Sequence, residues 1–256
     1  FYDRKFDCRQ TTAGITHYKG KLKFKSPHTV AIEEVRTGAR VLDLGCADGT
    51  VASMLQRRNC SVTAVDCFPL KEPVEGSEFI LHDLNDGLPD VDLKDFDYVL
   101  MLDVVEHLLS PEAFVDELRA KTGHAQHTQL VISTGNIGFF IARTMLLFGQ
   151  FNYGKRGILD LTHTRLFTFS TLRRLFEQAG FEVVLSRGLP APFPLAFGEN
   201  VLARVALGVN QFLIRLWKAA FSYQIYMVAR PRPSLETLLE HAYEKSAVRE
   251  EQTAIE

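Results

Sequence analysis

The sequence VLDLGCADGTVASMLQRRNCSVTAVD, residues 41–66, decides the fold of this chain. It begins with a short apolar strand at 41–44 and passes through a tight turn with two glycines at 45–49. A helix at 50–58 follows, with apolar residues at helical spacing, and then a second strand at 61–66 that ends in an acid. Strand, glycine turn, helix and strand ending in a carboxylate form one mononucleotide-binding half of a doubly wound sheet. Such a unit holds its ligand at the carboxyl ends of the strands.

The glycine turn departs from the dinucleotide fingerprint G-x-G-x-x-G, in which a pyrophosphate sits on the helix N-terminus. Ala47 stands two residues after Gly45, and Thr50 follows Gly49, so the pattern is G-x-x-x-G. Asp43 precedes it, and a carboxylate at the mouth of the turn would repel a pyrophosphate. The turn therefore favours a ligand with a cationic end and no phosphate, a description that fits S-adenosylmethionine.

The motif DLGCADG resembles the first motif of the class I S-adenosylmethionine-dependent methyltransferases. The resemblance implies an α/β fold with a Rossmann-like, seven-stranded, doubly wound sheet whose last strand is antiparallel, and S-adenosyl-L-methionine as the cofactor. It also implies the cofactor-binding residues. These are Asp43, Gly45, Cys46, Ala47 and Gly49 in the turn, Asp66 and Cys67 at the ribose, Asp83 and Leu84 at the adenine, and Leu102 and Asp103 at the methionine half.

Short apolar runs predict the other five strands of the sheet, at 78–83, 96–102, 129–135, 181–188 and 223–230. The predicted methyltransferase domain spans residues 35–230. An N-terminal cap or lead-in at 1–34 precedes it, and a tail at 231–256 follows. Within the domain we expect a substrate arch at 136–168 and a helical insertion at 189–221, between the last two strands.

A second motif that resembles methyltransferases lies directly after the fourth predicted strand. The string D-x-x-E-H-L at 103–108 is similar to the small-molecule methyltransferases, including the ubiquinone-biosynthesis O-methyltransferases. We expect Glu106 and His107 on the first turn of the following helix, at the edge of the substrate space. His107 is a catalytic candidate; the alternative is a packed or capping histidine.

A third match is GILDLTHTRLFT at 157–168, which resembles a segment of methyltransferases found near or fused to glycosyltransferases. His163 within it is the best general-base candidate, because an attacking hydroxyl must lose its proton and imidazole titrates in the right range. The alternative is that His163 only ties the arch to the backbone. Asp160 and Arg165 are expected to brace the arch, although Arg165 is also able to bind an acidic substrate.

Two apolar stretches leave alternatives open. Residues 136–149 are apolar apart from Arg143 and too short to span a bilayer, so a core helix or pocket wall is the default and an interfacial segment the alternative. Residues 198–221 predict a helix with a wide apolar face and a narrow basic stripe. It is either buried against the domain or a partner copy, or in contact with a membrane surface.

Composition narrows the classes of partner. The formal net charge of −2 argues against a nucleic-acid partner, and the four cysteines have no metal-binding spacing, so no metal is expected. We expect a cytoplasmic protein, peripheral to a membrane if 198–221 binds lipid. The predicted function is methyl transfer from S-adenosylmethionine to an oxygen of a small molecule, a glycan or a lipid-linked acceptor. The alternative is a methyltransferase-like binding module without catalysis.

Overall fold

A computed structural model describes residues 26–123, 125–193, 198 and 200–233, and the structural statements below concern these residues. They form a sheet of seven strands in the order β3-β2-β1-β4-β5-β7-β6. The strands are β1 (Arg40–Leu44), β2 (Ser61–Asp66), β3 (Glu78–Leu81), β4 (Tyr98–Leu102), β5 (Gln129–Gly135), β6 (Phe181–Leu189) and β7 (Gln224–Pro231). Strand β7 is antiparallel to both of its neighbours, and the other pairs are parallel. The predicted fold class is confirmed.

Helices cover both faces of this sheet. They are α1 (Pro27–Glu34), α2 (Thr50–Gln56), α3 (Pro111–Thr122), α4 (Phe140–Leu147), α5 (Phe169–Gln178), α6 (Val201–Leu216) and α7 (Lys218–Phe221). Along β1, Leu42 and Leu44 enter the core on one side and Val41 enters the core on the other. Strands buried on both faces are apolar throughout, which is why contiguous runs in the sequence located them.

The start of α1 corrects one expectation. In the sequence, Ser26-Pro27-His28 indicates a break before a helix that starts at Thr29, whereas the helix of the structure begins at Pro27. The Ser26 hydroxyl accepts from the Thr29 amide at 3.2 Å, and Pro27 occupies the first helical turn, where its missing N–H costs nothing. Residues 1–25 of the predicted lead-in at 1–34 and residues 234–256 of the predicted tail at 231–256 lie outside the described residues.

The insertion between β6 and β7 forms two helices rather than the single predicted one. The chain breaks at Trp217, whose backbone leaves the helical region between α6 and α7. Asn210 ties α6 to the domain from a buried position. Its Nδ2 donates to the Phe221 carbonyl at 2.9 Å, and its Oδ1 accepts from the Ala191 amide at 3.1 Å.

Helix α4 does not occupy the core. None of its residues is buried, and Leu147 is 81% exposed. A core position for this part of 136–149 is therefore wrong, because hydropathy alone cannot tell a buried apolar helix from an exposed one. None of the described helices combines the length and apolar character needed to cross a bilayer.

Candidate active site

The predicted site residues follow four strands that are neighbours in the sheet. Asp83 lies after β3, Asp66 ends β2, the glycine turn follows β1 and Asp103 follows β4. Because these strands are parallel, their carboxyl ends meet at one edge, where doubly wound sheets bind ligands. Residues up to 60 positions apart in sequence are thereby brought to a single edge of the domain.

The turn after β1 is built from left-handed backbone. Gly45, Ala47 and Gly49 have φ values of 76°, 52° and 74°. A Cβ on Gly45 would lie 2.5 Å from Cγ2 of Val104, so this position has no room for a side chain. The turn is held by β2, since the Val65 carbonyl accepts from the Gly45 amide at 2.8 Å.

Asp66 fixes the same turn from the end of β2. Its Oδ2 accepts from the Ala47 amide at 2.8 Å, and its Oδ1 accepts from the Phe68 amide at 2.9 Å. Burial raises the pKa of Asp66, while these backbone hydrogen bonds lower it in part. Cys46 is buried, and burial together with the nearby Asp43 charge raises the pKa of its thiol; Cys67 is half-buried.

Asp43 provides the test of whether the site fits S-adenosylmethionine. Its carboxyl is buried, and Oδ2 has no hydrogen-bond partner. Burial first, and the charge of Asp66 second, raise its pKa from 3.8 to about 7. A buried carboxylate without a counter-charge suits a cationic ligand and disfavours a phosphate. The donor set therefore fits a sulfonium and ammonium cofactor, with Asp43, Asp66 and the turn amides as the residues to hold it.

The other predicted cofactor residues have defined structural roles. Asp83 caps a single 3-10 turn, where Oδ1 accepts from the Asn85 amide at 2.9 Å, and Leu84 within that turn is buried. Leu102 is buried at the end of β4. Asp103 has a φ of 59°, and its carboxylate accepts from Ser133 Oγ and Gln224 Nε2, both at 2.8 Å. Their contacts with a cofactor remain predictions.

Three side chains with metal-ligating or proton-accepting atoms meet beside this edge. Ligand atoms of Glu106, His107 and His163 all lie within 4.8 Å of one another. The two imidazoles pack edge to face, with ring centroids 4.8 Å apart. Glu106 is 2% exposed, and its Oε2 has no hydrogen-bond partner. No local pattern in the sequence predicts this cluster, because Glu106 and His163 are far apart along the chain.

Backbone carbonyls of the arch orient both histidines. His107 Nδ1 lies 3.2 Å from the Thr162 carbonyl, and His163 Nδ1 lies 2.9 Å from the Ile158 carbonyl. Because a carbonyl oxygen only accepts, each Nδ1 carries a proton and each Nε2 of a neutral ring is left as an acceptor. His163 is thus tied to the backbone, as one interpretation held, while its other nitrogen stays available for chemistry.

The arch is attached directly to the turn that carries Glu106. The Glu106 carbonyl accepts from the amides of Thr164 and Arg165 at 2.9 and 3.2 Å. Asp160 is buried and braces the arch through the Thr162 amide at 2.9 Å. Glu106 and His107 lie in a turn before α3 rather than on its first helical turn, which corrects that expectation, since α3 begins only at Pro111.

Electrostatics set the charge state of the cluster. Burial, and then the charge of Asp103, raise the pKa of Glu106 to about 7, although His163 acts in the opposite direction. Burial lowers the pKa of His107 and so favours its neutral form. Tyr223 was missed by the sequence reasoning. Burial, Asp103 and Asp160 raise the pKa of its phenol, which stays protonated.

Comparison with known proteins places the chain in a family. The family described as "Methyltransferase domain" matches residues 18–186. The ubiquinone biosynthesis O-methyltransferase of Schizosaccharomyces pombe mitochondria is 32% identical over 123 residues, which is 43% of this chain and 40% of that protein. The protein of the same name in Xylella fastidiosa is 33% identical over 93 residues, 31% of this chain and 36% of that protein. The chain thus spans about two fifths or less of the curated relatives it matches.

A solved structure agrees with the fold. The 1,6-didemethyltoxoflavin-N1-methyltransferase of Burkholderia thailandensis, with bound 1,6-didemethyltoxoflavin and S-adenosylhomocysteine, superposes with a TM-score of 0.52 at 17% identity, covering 80% of this chain and 76% of that chain. The family match extends over well more than half of the sequence and includes every predicted cofactor-binding residue. The chain therefore belongs to the class I methyltransferases, whose cofactor is S-adenosylmethionine.

Proposed function

We propose that this methyltransferase transfers a methyl group to a hydroxyl oxygen, and that the cluster of Glu106, His107 and His163 receives the hydroxyl proton. The observation that carries the proposal is the buried Glu106 carboxyl beside the imidazoles of His107 and His163, whose Nδ1 atoms are engaged by backbone carbonyls, with the Thr134 hydroxyl as its other polar neighbour. The names of the curated relatives, O-methyltransferases of ubiquinone biosynthesis, support oxygen as the acceptor atom.

S-adenosylmethionine supplies a methyl group already activated by its sulfonium. The protein therefore contributes alignment of the acceptor and a base for its proton. With this cofactor bound, the acceptor oxygen would bond to the methyl carbon as the carbon–sulfur bond breaks, and the electron pair would stay on sulfur. The hydroxyl proton passes to Nε2 of His163, and the neighbouring Glu106 carboxylate stabilises the imidazolium that forms.

The acceptor is a small molecule, a glycan or a lipid-linked compound that carries a hydroxyl group. A transfer assay with methyl-labelled S-adenosylmethionine tests this with matched acceptors of each class, in hydroxyl and amine forms. We expect label in the hydroxyl acceptors. Label confined to amines, or cofactor binding without transfer to any acceptor, would contradict the proposal.

Two variants of His163 distinguish a role as general base from a purely structural role in tying the arch to the backbone. His163→Asn keeps a donor toward the Ile158 carbonyl but has no basic nitrogen, whereas His163→Ala loses both. If His163 is the base, both variants should lower kcat by about 100-fold or more, with cofactor affinity unchanged by calorimetry. If His163 is only a tie, the Asn variant should retain most of the activity.

The same three side chains form a candidate site for a divalent cation, a second role that their donors favour. Two imidazoles and a carboxylate are common ligands, and imidazoles that bind metals usually donate their other N–H to a carbonyl or carboxylate, as His107 and His163 do here. Calorimetric titration of the cofactor-free protein with Zn²⁺ or Mn²⁺ tests this, with Glu106→Gln as the comparison. A heat of metal binding that is present in the natural protein and lost in Glu106→Gln would support a metal role. Equal heats of binding in both proteins would exclude this cluster as the site.

A further inference from the structure

Exposed apolar side chains are concentrated in two segments of the molecule. Of the nineteen large hydrophobic residues exposed in the described part of the chain, seven lie in 140–153 and seven in 201–217. Leu147 is 81% exposed, Phe148 75% and Leu216 67%. Contiguous patches of this kind mark interaction surfaces, whereas scattered exposed residues need no explanation. We call these two segments together the apolar face.

The two segments form one continuous surface. The guanidinium of Arg143 lies 5.7 Å from the ring centroid of Trp217, and the rings of Phe140 and Phe221 are also 5.7 Å apart. Asn136 joins the chain before α4 to the end of the insertion, because its Nδ2 donates to the Ala219 carbonyl at 3.0 Å. The start of α4 therefore meets the region where α6 ends.

Helix α6 exposes apolar side chains on the side that faces away from the domain. Val205, Val209 and Phe212 are 58%, 54% and 59% exposed, while the polar Asn210 faces the domain and is buried. The side that faces the domain is apolar as well, since Leu207, Leu213 and Ile214 are half-buried there, so α6 carries apolar residues beyond the single inward stripe of an ordinary surface helix. The helix spans about 24 Å at 1.5 Å per residue, which is long enough to lie along a flat surface.

Charge decides what kind of occupant fits. Residues 136–159 and 200–222 contain no Asp or Glu, although 31 of the 256 residues of the chain are acidic. The basic residues in these segments are exposed, and they are Arg143, Lys155, Arg156, Arg204, Arg215 and Lys218. A second copy of the chain would bring like charges together, which costs affinity. An anionic lipid surface would meet the same residues with opposite charge.

We propose that the apolar face binds the surface of a lipid bilayer that carries anionic headgroups. The apolar side chains enter the boundary between headgroups and acyl chains, and the basic side chains contact the phosphates. The face also adjoins the site described above. Phe140 packs against the buried Phe139 with ring centroids 4.9 Å apart, and Phe139 packs against Tyr223 at 5.6 Å. Under the proposed function, on which this last step rests, the acceptor is a lipid-linked hydroxyl compound that enters from the bilayer.

Vesicle flotation of the full chain, without cofactor or acceptor, tests the binding separately from catalysis. Vesicles of phosphatidylcholine alone are compared with vesicles containing about one third phosphatidylglycerol. We expect binding to the anionic vesicles that weakens with salt, and much less binding to the neutral ones. Equal binding to both, or binding to neither, would overturn the proposal.

Substitutions on the face give the matched test. Leu147→Glu and Leu216→Glu should each lower partitioning onto anionic vesicles by about tenfold or more, because each replaces an inserted apolar group with a like-charged one. Leu81→Glu is the control, since Leu81 is 62% exposed on β3, at the opposite edge of the sheet from β6 and the insertion. Equal loss in all three variants would contradict the assignment.

Two further outcomes would assign the face to another occupant and overturn the proposal. A concentration-dependent dimer that dissociates in the Leu147→Glu variant would point to a second copy of the chain. Vesicle binding only by a chain that ends at Pro233 would point to residues 234–256, which carry six acidic side chains. If the chain binds vesicles but does not methylate lipid-linked acceptors, the proposed membrane surface is supported and the proposed class of acceptor is contradicted.

Discussion

Replacing Asp43 by asparagine tests the electrostatic reasoning about the cofactor site. Burial and the charge of Asp66 raise the pKa of Asp43 from 3.8 to about 7. Below about pH 3.8 the Asp43 carboxyl is protonated in both the folded and the unfolded chain, so its ionisation does not change the free energy of unfolding. Between about pH 4 and about pH 7 only the unfolded chain releases it, so the free energy of unfolding falls as the pH rises, and above the folded pKa the loss is constant.

The size of the effect follows from the shift in pKa. Roughly 3 units at about 1.4 kcal/mol per unit give an upper limit of about 4 kcal/mol lost above neutral pH. By about pH 5 only about 1.5 kcal/mol of this should be lost. Asparagine has nearly the same shape and does not titrate in this range. The stability of Asp43→Asn relative to the natural protein should therefore increase by up to about 3 kcal/mol between about pH 5 and about pH 8.

Urea unfolding of both proteins, without cofactor, at the two pH values measures this difference. Any constant cost of placing an amide at position 43 cancels when the two pH values are compared. Asp90→Asn, at an exposed carboxylate, is the control for general charge effects. A difference between Asp43→Asn and the natural protein that is the same at both pH values would refute the reasoning. Calorimetry should also show weaker binding of S-adenosylmethionine by Asp43→Asn, because the buried negative charge is lost.

Three further predictions concern the turn, the ribose acid and the end of β5. Asp66→Asn should weaken S-adenosylmethionine binding about tenfold or more in calorimetry, and unchanged affinity would remove Asp66 from the cofactor site. Gly45→Ala should destabilise the protein in urea by about 1–3 kcal/mol more than Gly38→Ala. Both positions have the same positive φ, but only Gly45 would place its Cβ against another side chain; equal losses would contradict the overlap. Asn136→Ala should cost about 2–3 kcal/mol in urea unfolding, because it leaves the Ala219 and Ser222 carbonyls without a donor, and a loss under about 1 kcal/mol would contradict that role.

The sheet and the cofactor edge could be predicted because their signals are local. A central parallel strand is buried on both faces and must be apolar for its whole length, as Val99–Leu102 is in β4. The turn after β1 requires glycine at a positive φ next to Val104, and that requirement appears directly as Gly45 in the sequence. Topology then brings the ends of neighbouring strands together without any further information.

The cluster beside that edge could not be predicted in the same way. Glu106 and His163 are 57 residues apart, and they meet because tertiary hydrogen bonds hold the arch to the turn, among them those from the amides of Thr164 and Arg165 to the Glu106 carbonyl. No periodicity in the sequence reports such a contact. The sequence favoured a core position for α4 over an exposed, interfacial one for a related reason. Apolar composition predicts that a helix avoids water, but it does not say whether protein or lipid takes the place of water.

The way the arch holds the two histidines has a consequence for how this enzyme can diversify. His107 and His163 are oriented by the carbonyls of Thr162 and Ile158, and a carbonyl is present whatever the side chain. Exposed side chains along the arch that do not brace it can therefore vary, by evolution or by design, without changing the tautomers of the pair. Leu161, 60% exposed between the two carbonyls, is the natural first position for a library of variants with altered acceptor preference.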